Sequence, residues 1–493
     1  MEENRNGALE EIGVRVQQFG AKGDGVTNDT EAIQQAIDSV FESGGGTVLL
    51  PKGTYLLDTL TIRHQVKIVG EGFRLTTLKK NPDSLGPITQ IDGDFDNFIY
   101  EIEVRGIKFV GNYTDSTNDG VFCKTKKGIN HCRFEDLWFQ SIGRNGMRFE
   151  HNADGMEGAW VQYCHFENIM FGGGLTDDEG CQSYCVYAEG GFSTNTFKTI
   201  RTYYTKDAMF YLTSQTGTSG WKVAPEAILF DTCNPQSINN TDDRVTYGVY
   251  LKDVIGATFL NCYFEGVGLK DTSKKSANLY VTGTTAGVVV SGGYCGDFMN
   301  GIVLNNGSAA NISGVVFHFK GPSYYPKRVP NCVVVEDNFA IYTAFIGVNS
   351  VFHMSGIENT DWEYLLDTGK RSIGIRNTSS NFKTRSLEAN KHLQVGDGAS
   401  GSNAGSWDFG FVRIRNNTLF IDTDGNPRIK ILGTPSSPTD GSLLIRARNG
   451  ATAQRPSLTN LSAGYQYFDT TLNKPIWVNK DVTGWVDATG TSV

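Results

Sequence analysis

One segment, residues 14–57, constrains the fold more than any other part of the chain. It contains a glycine-rich turn (residues 20–25), then an amphipathic stretch with apolar side chains at helical spacing, then a second glycine cluster (residues 44–46) leading into an apolar strand. Asn28 is predicted to cap the helix, and Glu31 to complete a capping box. Because hundreds of residues of strand-like sequence follow this lone helix, it is predicted to close one end of a long β structure.

Residues 14–57 resemble the N-terminal entry of the pectate-lyase-like superfamily. The resemblance implies an all-β protein: a right-handed, single-stranded parallel β-helix with an N-terminal capping α-helix and small C-terminal β domains. It does not specify the chemistry, since the superfamily contains lyases, hydrolases, transferases and inert adhesins.

A C-x-F-E pattern recurs in the middle of the chain, beginning at Cys132, Cys164 and Cys262, with degenerate copies around Phe197 and Phe317. Alternation along each copy places Cys and Phe on one face of a strand and the charged residue on the other. If each copy is the same strand in successive coils, the Cys and Phe side chains form interior ladders, and the charged residues face outward.

Composition excludes several classes of protein. A formal net charge of −9 argues against a nucleic-acid groove. The nine scattered cysteines favour reduced core thiols over a disulfide framework. The N-terminus lacks the features of a signal peptide, and no apolar run is long enough for membrane insertion. Synthesis in the cytoplasm of the producing cell is therefore expected.

The C-terminal block, residues 449–490, resembles the terminal module of phage tail fibres and tailspikes. Its recognisable parts are R-P-S-L, A-G-Y-Q-Y-F-D-T-T-L-N-K-P-I-W and G-W-V-D-A-T-G. Together with the β-helix entry, it implies a phage or prophage tailspike, located in the virion tail and assembled as a homotrimer. The predicted domains are an attachment arm for phage tail or baseplate proteins (1–13), the β-helix (14–385), a β-rich intermediate or trimerisation domain (386–450) and the tip module (451–493).

Acidic side chains are the candidate catalytic groups, because glycoside hydrolysis uses two carboxylates. The densest cluster is Asp177, Asp178 and Glu179 in a glycine-rich loop. Like charges this close raise one another's pKa, which suits a proton donor. Glu157, which flanks the preceding coil near Glu150 and His151, is a further candidate. So is Glu189, which follows Tyr184 and Tyr187. Loop polarity is the alternative interpretation of the 177–179 cluster and of Glu157, and an ordinary strand is the alternative for the segment that contains Glu189.

Aromatic residues in loop-like settings are the candidate sugar-binding groups, since flat rings stack on sugar faces. Ordinary packing is the alternative interpretation of these residues, which are Tyr203, Tyr204, Trp221, Tyr324 and Tyr325. The spacing of His and Cys predicts no metal site, and the glycine-rich turn lacks the lysine of a phosphate loop, so no cofactor is expected.

The favoured hypothesis is a tailspike that binds a bacterial surface polysaccharide, with depolymerisation by hydrolysis more strongly expected than elimination. The first alternative is a structural or adhesive tail protein of the same fold without catalysis, which would lack paired carboxylates in a groove. The second is a secreted polysaccharide lyase.

Overall fold

The computed structural model describes most of the N-terminal three quarters of the chain and a C-terminal segment. The described residues are 13–151, 160–173, 180–203, 205–217, 220, 222–236, 246–267, 276–298, 300–319, 331–347, 351–354, 366–367, 374–376 and 448–493. The chain divides into two compact units, Met1–Leu393 and Gln394–Val493.

The first unit is a right-handed parallel β-helix, as predicted, in which each coil adds one strand to each of three long sheets. Sheet A contains Val14–Arg15, Gly46–Leu50, Val66–Gly70, Glu103–Val110, Arg133–Gln140, His165–Phe171, Thr196–Lys198, Glu226–Asp231, Ile255–Leu260, Ala286–Ser291 and Gly374–Arg376. Sheet B contains Leu60–Ile62, Thr89–Ile91, Val121–Cys123, Asn145–Glu150, Tyr184–Glu189, Ala208–Thr213, Tyr247–Lys252, Ala277–Thr282 and Leu366–Asp367. The long strands Asn300–Ser313 and Asn331–Gly347 run from sheet B into sheet A.

Sheet C lies after the bend that follows sheet A in each coil. It contains Asp24–Asn28, Gly53–Leu57, Thr76–Lys80, the ends of Glu103–Val110, Arg133–Gln140 and His165–Phe171, and then Arg201–Thr202 and Asn234–Pro235. A parallel bridge between Gln236 and Glu265 links it to Tyr263–Glu265, Tyr294–Gly296, Val316–Phe319 and Val351–Met354. Shorter strands occupy the bend between sheets B and A, namely Ile99–Tyr100, Gly128–Asn130, Trp160–Gln162 and Phe192–Ser193. A small antiparallel hairpin pairs Gln215–Thr216 with Lys222–Val223.

Aromatic ladders fill the interior because in-register parallel strands stack identical positions about 4.8 Å apart. Beneath sheet A, buried phenylalanines follow one another with ring centroids 4.6–5.2 Å apart. They are Phe134, Phe166, Phe197, Phe230 and Phe259. The nine cysteines are all free and buried, which confirms that they are core thiols.

The third C-x-F-E copy departs from the predicted single ladder. Phe259, not Phe264, continues the ladder beneath sheet A. Phe264 belongs to sheet C, where its register partner is Cys295, followed by Phe317. The prediction that the copies occupy one strand position was therefore wrong for this copy and for the degenerate copy at Phe317, because the chain turns into the next sheet between Phe259 and Phe264.

The capping helix is present and spans Thr30–Glu42, with Ile33, Ala36, Ile37 and Val40 buried against the first coil. Its N-cap is Asp29, whose side chain makes no capping bond, so the predicted Asn28 cap with Glu31 was wrong. The Asp29 carboxylate instead accepts hydrogen bonds from the backbone amides of Lys22 and Gly23 at 2.7 and 3.0 Å. It thereby ties the glycine-rich turn to the helix.

The described part of the second unit is a small four-stranded sheet of Arg448–Gly450, Gln466–Asp469, Lys474–Val478 and Trp485–Val486. Two 3-10 helices, Thr452–Gln454 and Leu458–Asn460, precede the hairpin, and a third, Val16–Phe19, lies at the start of the first unit. Tyr467, Ile476, Val478 and Trp485 form the core of this sheet. In the described part of the chain, the helices are too short and too polar to cross a bilayer.

Candidate active site on the outer face of sheet B

A row of tyrosines runs along the outer face of sheet B. Tyr187, Tyr211, Tyr250 and Tyr280 are register partners on four successive strands. Their ring centroids are 5.6, 4.7 and 5.5 Å apart, and neighbouring planes are within 5° of parallel. Strand alternation turns each ring outward. Because the rings are stacked face to face, their edges and hydroxyl groups form the accessible surface. We call these four residues the tyrosine row.

Arg148 continues the row on the preceding strand, where it is the register partner of Tyr187. Its guanidinium carbon lies 5.9 Å from the ring centroid of Tyr187 and 5.3 Å from that of Phe122, which is its register partner on strand Val121–Cys123. The cation is therefore held between two aromatic rings, a favourable arrangement for arginine. Burial and the neighbouring Arg144 lower the pKa of Arg148.

A buried carboxylate supports this arginine from below. Asp119 has a fully buried side chain and accepts a hydrogen bond from Arg144 Nε at 2.9 Å and from the Asn145 amide at 3.1 Å. Arg148 Nη1 lies 3.7 Å from its second oxygen. Burial raises the pKa of Asp119 although both arginines oppose the shift. A buried charge is costly unless it is paired. Asp119 is paired with Arg144 and Arg148, and this pairing orients the two guanidinium groups.

Two glutamates lie at neighbouring positions on adjacent strands beside the tyrosine row. Glu150 and Glu189 are register partners on adjacent strands of sheet B. Glu189 Oε2 accepts a hydrogen bond from the Tyr187 hydroxyl at 3.0 Å. Glu150 pairs with Arg148 and lies 3.7 Å from Lys124 Nζ. One carboxylate is thus bound to cations and the other to a neutral phenol.

The phenol of Tyr187 stays protonated at neutral pH. Burial, reinforced by the charge of Glu189, raises its pKa well above the ordinary value of a tyrosine. Burial likewise raises the pKa of Tyr211 and Tyr250. The hydroxyl groups of these three tyrosines are therefore hydrogen-bond donors and not bases at neutral pH.

His151 follows Glu150 and is buried at the edge of the carboxylate pair. Its ring lies 6.1 Å from Trp160 in an edge-to-face arrangement, and its amide donates to the Glu189 carbonyl at 3.0 Å. A Cβ on Gly190 would lie 2.5 Å from the His151 Cβ, so only glycine fits opposite this histidine. The carboxylates and His151 are held on regular strands and the turns directly after them.

Of the predicted catalytic residues, Glu189 lies in this site, where Glu150 is its register partner and the His151 amide donates to its backbone carbonyl. The other predicted catalytic residues, Asp177, Asp178, Glu179 and Glu157, lie outside the described residues. So do four of the predicted sugar-binding residues, Tyr204, Trp221, Tyr324 and Tyr325. Tyr203 follows strand Arg201–Thr202 of sheet C, and its amide donates to the Phe171 carbonyl at 2.8 Å. It is therefore on another sheet from the tyrosine row.

Sequence reasoning missed Arg148 and three members of the tyrosine row. A usable signal was present, since each tyrosine stands in an apolar-Tyr-apolar-polar unit: V-Y-A-E, F-Y-L-T, V-Y-L-K and L-Y-V-T. The units recur at unequal intervals of 24, 39 and 30 residues, which conceals the repeat.

Comparisons with known proteins agree with the fold. Residues 13–96 match the family described as rhamnogalacturonase A/epimerase, pectate lyase-like. The A-module of mannuronan C5-epimerase AlgE4 from Azotobacter vinelandii superposes with a TM-score of 0.52 at 16% identity, covering 74% of this chain and all of that module. At this identity the similarity establishes the fold alone.

Two curated proteins are similar in sequence over shorter regions. The capsule KN3-specific depolymerase 1 of Klebsiella phage KN3-1 is 30% identical over 200 residues, covering 35% of this chain and 23% of that protein. Alginate lyase 7 of A. vinelandii is 49% identical over 72 residues, covering 13% of this chain and 8% of that protein. The chain thus spans less than a quarter of the length of these relatives. The similarities confirm the predicted resemblance to phage proteins of the pectate-lyase-like β-helix superfamily.

Proposed function

From this pectate-lyase-like β-helix and its resemblance to a phage capsule depolymerase, we propose that the protein is a phage tailspike that binds and hydrolyses a bacterial surface polysaccharide. The observation that carries the proposal is the in-register pair Glu150 and Glu189 at one end of the tyrosine row. In this proposal the protein acts as a homotrimer in the virion tail, attached through residues 1–13.

The tyrosine row suits an extended polysaccharide lying along the β-helix axis. Its hydroxyl groups recur at the strand spacing of about 4.8 Å, which is close to the length of one sugar residue in an extended chain. A regular series of fixed donors with aromatic edges binds successive sugar units without large conformational cost. The reaction would then take place where the row meets the two carboxylates.

The register of the two glutamates favours hydrolysis with retention of configuration. Side chains on adjacent in-register strands lie about 5 Å apart, the separation of a retaining pair, whereas inverting pairs are about 6.5–9.5 Å apart. Glu150, paired with Arg148 and near Lys124, suits the ionised nucleophile. Glu189, bonded to the neutral phenol of Tyr187, suits the acid and base.

Elimination is the second candidate because a phenol and a guanidinium group lie side by side, as a base and a carboxylate-neutralising cation would. The raised pKa of Tyr187 weighs against it, since a protonated phenol cannot abstract a proton at neutral pH. A purely adhesive protein would use the tyrosine row without the carboxylates.

The test measures reducing ends and ultraviolet absorbance of unsaturated products from purified Klebsiella capsular polysaccharides, with KN3 capsule first. Glu189→Gln and Glu150→Gln are each expected to lower the rate of reducing-end release about 10³-fold while leaving binding intact. Glu167→Gln is the matched control, because Glu167 lies on sheet A, its side chain is 45% exposed and its carboxylate pairs with Lys198.

Each outcome has a distinct meaning. Unsaturated products would refute hydrolysis and support elimination. Binding without any product would favour the adhesive protein. A product of inverted configuration would contradict the assigned pair.

A further inference from the structure

A second aromatic cluster lies on the outer face of sheet C, apart from the tyrosine row on sheet B. Tyr263 and Tyr294 are register partners on adjacent strands. Their ring centroids are 4.6 Å apart and the planes 11° from parallel. Tyr263 is 36% exposed, so the stacked pair presents aromatic surface to solvent.

A chain of hydrogen bonds fixes the polar atoms of this cluster. The Tyr294 hydroxyl is 2.8 Å from His318 Nδ1, and the Tyr263 hydroxyl bonds to both Tyr294 and Glu265. Gln236 Nε2 donates to Glu265 Oε2. An ionised carboxylate has no proton and each phenol has one. The consistent order is therefore His318 Nδ1–H to Tyr294, Tyr294 to Tyr263, and Tyr263 to Glu265.

Gly296 makes room for this arrangement. It is the register partner of Glu265 on one side and of His318 on the other. A Cβ at this position would lie 2.4–2.6 Å from three atoms of the Tyr294 side chain. The absence of a side chain lets the Tyr294 ring lie across the strand and reach His318. The cluster therefore depends on a glycine that alternation alone would not require.

We infer that Tyr263, Tyr294, His318 and Glu265 form a second glycan-binding site, which takes a neutral sugar residue of the same polysaccharide. This inference rests on the proposed function for its ligand. An exposed aromatic surface combined with hydrogen-bonding groups held in fixed positions is suited to a sugar ring, because little ordering is needed on binding.

The local charge selects the class of sugar. Glu265 is a carboxylate at the site, and the buried Asp297 is close enough that its charge helps raise the pKa of both tyrosines, although burial is the larger cause. A uronate would meet like charge here, whereas a neutral sugar would donate hydroxyl groups to Glu265. The tyrosine row, by contrast, has the cations Arg148 and Lys124 at its end.

The test measures equilibrium binding of intact capsular polysaccharide, KN3 first and then the rest of the Klebsiella panel, to Glu189→Gln protein, in which cleavage is expected to be about 10³-fold slower. Adding Gly296→Ala removes no functional group and displaces the Tyr294 ring. Adding Tyr263→Ala removes the exposed ring. Each is expected to weaken binding about tenfold.

Two further variants separate binding from folding. Tyr294→Phe keeps the ring and loses only the hydroxyl, and is expected to weaken binding about fivefold. Tyr163→Ala is the matched control, because Tyr163 is 47% exposed and stacks on His131 at 5.2 Å, and it should bind as the parent does. Unchanged circular dichroism for Tyr294→Phe would exclude misfolding as the cause.

The outcomes distinguish this site from the proposed function. If the parent protein binds no polysaccharide of the panel, the proposed function is overturned and the second site with it. If the parent binds and the Gly296, Tyr263 and Tyr294 variants bind equally well, only the second site is overturned.

Discussion

Asp253 provides a quantitative test of how the hairpin beside sheet B is held in place. It follows strand Tyr247–Lys252 and is 5% exposed. Its carboxylate accepts hydrogen bonds from Ser214 Oγ at 2.8 Å and from the Thr284 amide at 2.7 Å, and Lys222 Nζ lies 2.8 Å away. Ser214 directly precedes the hairpin, Lys222 lies in its second strand and Thr284 belongs to the next coil, so one carboxylate joins all three.

Replacing Asp253 with Asn mimics the protonated acid. Burial opposes the charge of Asp253, but the bonds from Lys222, Thr284 and Ser214 outweigh it and lower its pKa from 3.8 to about 2. Each pKa unit corresponds to about 1.4 kcal/mol. Because Lys222 is 43% exposed and solvent screens part of its charge, we expect Asp253→Asn to lose about 2 kcal/mol of stability at pH 6.

The sign of the pH dependence follows from the lowered pKa. A carboxyl group whose pKa is lower in the folded state stabilises that state above its unfolded pKa, near 3.8. This stabilisation is lost as the pH falls from 3.8 through about 2. The difference in stability between the parent protein and Asp253→Asn should therefore be largest at pH 6 and should vanish below about pH 2.

Hydrogen exchange of the Thr284 amide is the assay, because this amide donates directly to Asp253. Asp253→Asn should accelerate its exchange about 30-fold at pH 6, the equivalent of about 2 kcal/mol. Asp231→Asn is the control, since Asp231 accepts a hydrogen bond from Thr232 Oγ1 at an exposed position. Equal exchange rates in the parent and Asp253→Asn, or a difference that persists below pH 2, would refute the reasoning.

Two further predictions concern the core. Phe166→Ala should lower the free energy of unfolding by about 4 kcal/mol, because Phe166 is fully buried and stacked on Phe197 at 4.6 Å. Phe166→Leu should lower it by about 1 kcal/mol. Equal shifts of the denaturation midpoint in the two variants would contradict the ladder. Gly146→Ala should cost about 2 kcal/mol in thermal unfolding, because its Cβ would lie 2.3 Å from the Phe171 ring. Gly484→Ala, whose Cβ would lie 4.0 Å from Asn479 Nδ2, should leave the melting temperature of its own unit unchanged.

The resemblance of residues 14–57 to the pectate-lyase-like superfamily implied the β-helix, whereas local patterns predicted the capping helix and the buried thiols. Alternation along a strand depends only on nearest neighbours, so the inward positions of Phe134, Phe166 and Phe197 follow from short segments. The cap was misplaced because the Asp29 carboxylate bonds to amides of the preceding turn, a contact formed only when the turn folds back.

Part of the candidate site could also be found in this way. Glu189 was selected as a carboxylate beside tyrosines, and its bond to Tyr187 lies within a single strand. Asp119 could not be selected, because nothing local distinguishes an aspartate buried under two arginines from one in a polar loop.

The sequence by itself therefore determined which residues of each strand face inward and which face outward, since that choice is made within a few residues of chain. Only the tertiary structure decided which strands are register partners. The loops between equivalent strands differ in length, so the tyrosine row and the pairing of Glu150 with Glu189 emerge only once the coils close and stack. The aromatic pair on sheet C likewise depends on contacts between coils, because Gly296 leaves space for a ring that must reach His318 on the next strand.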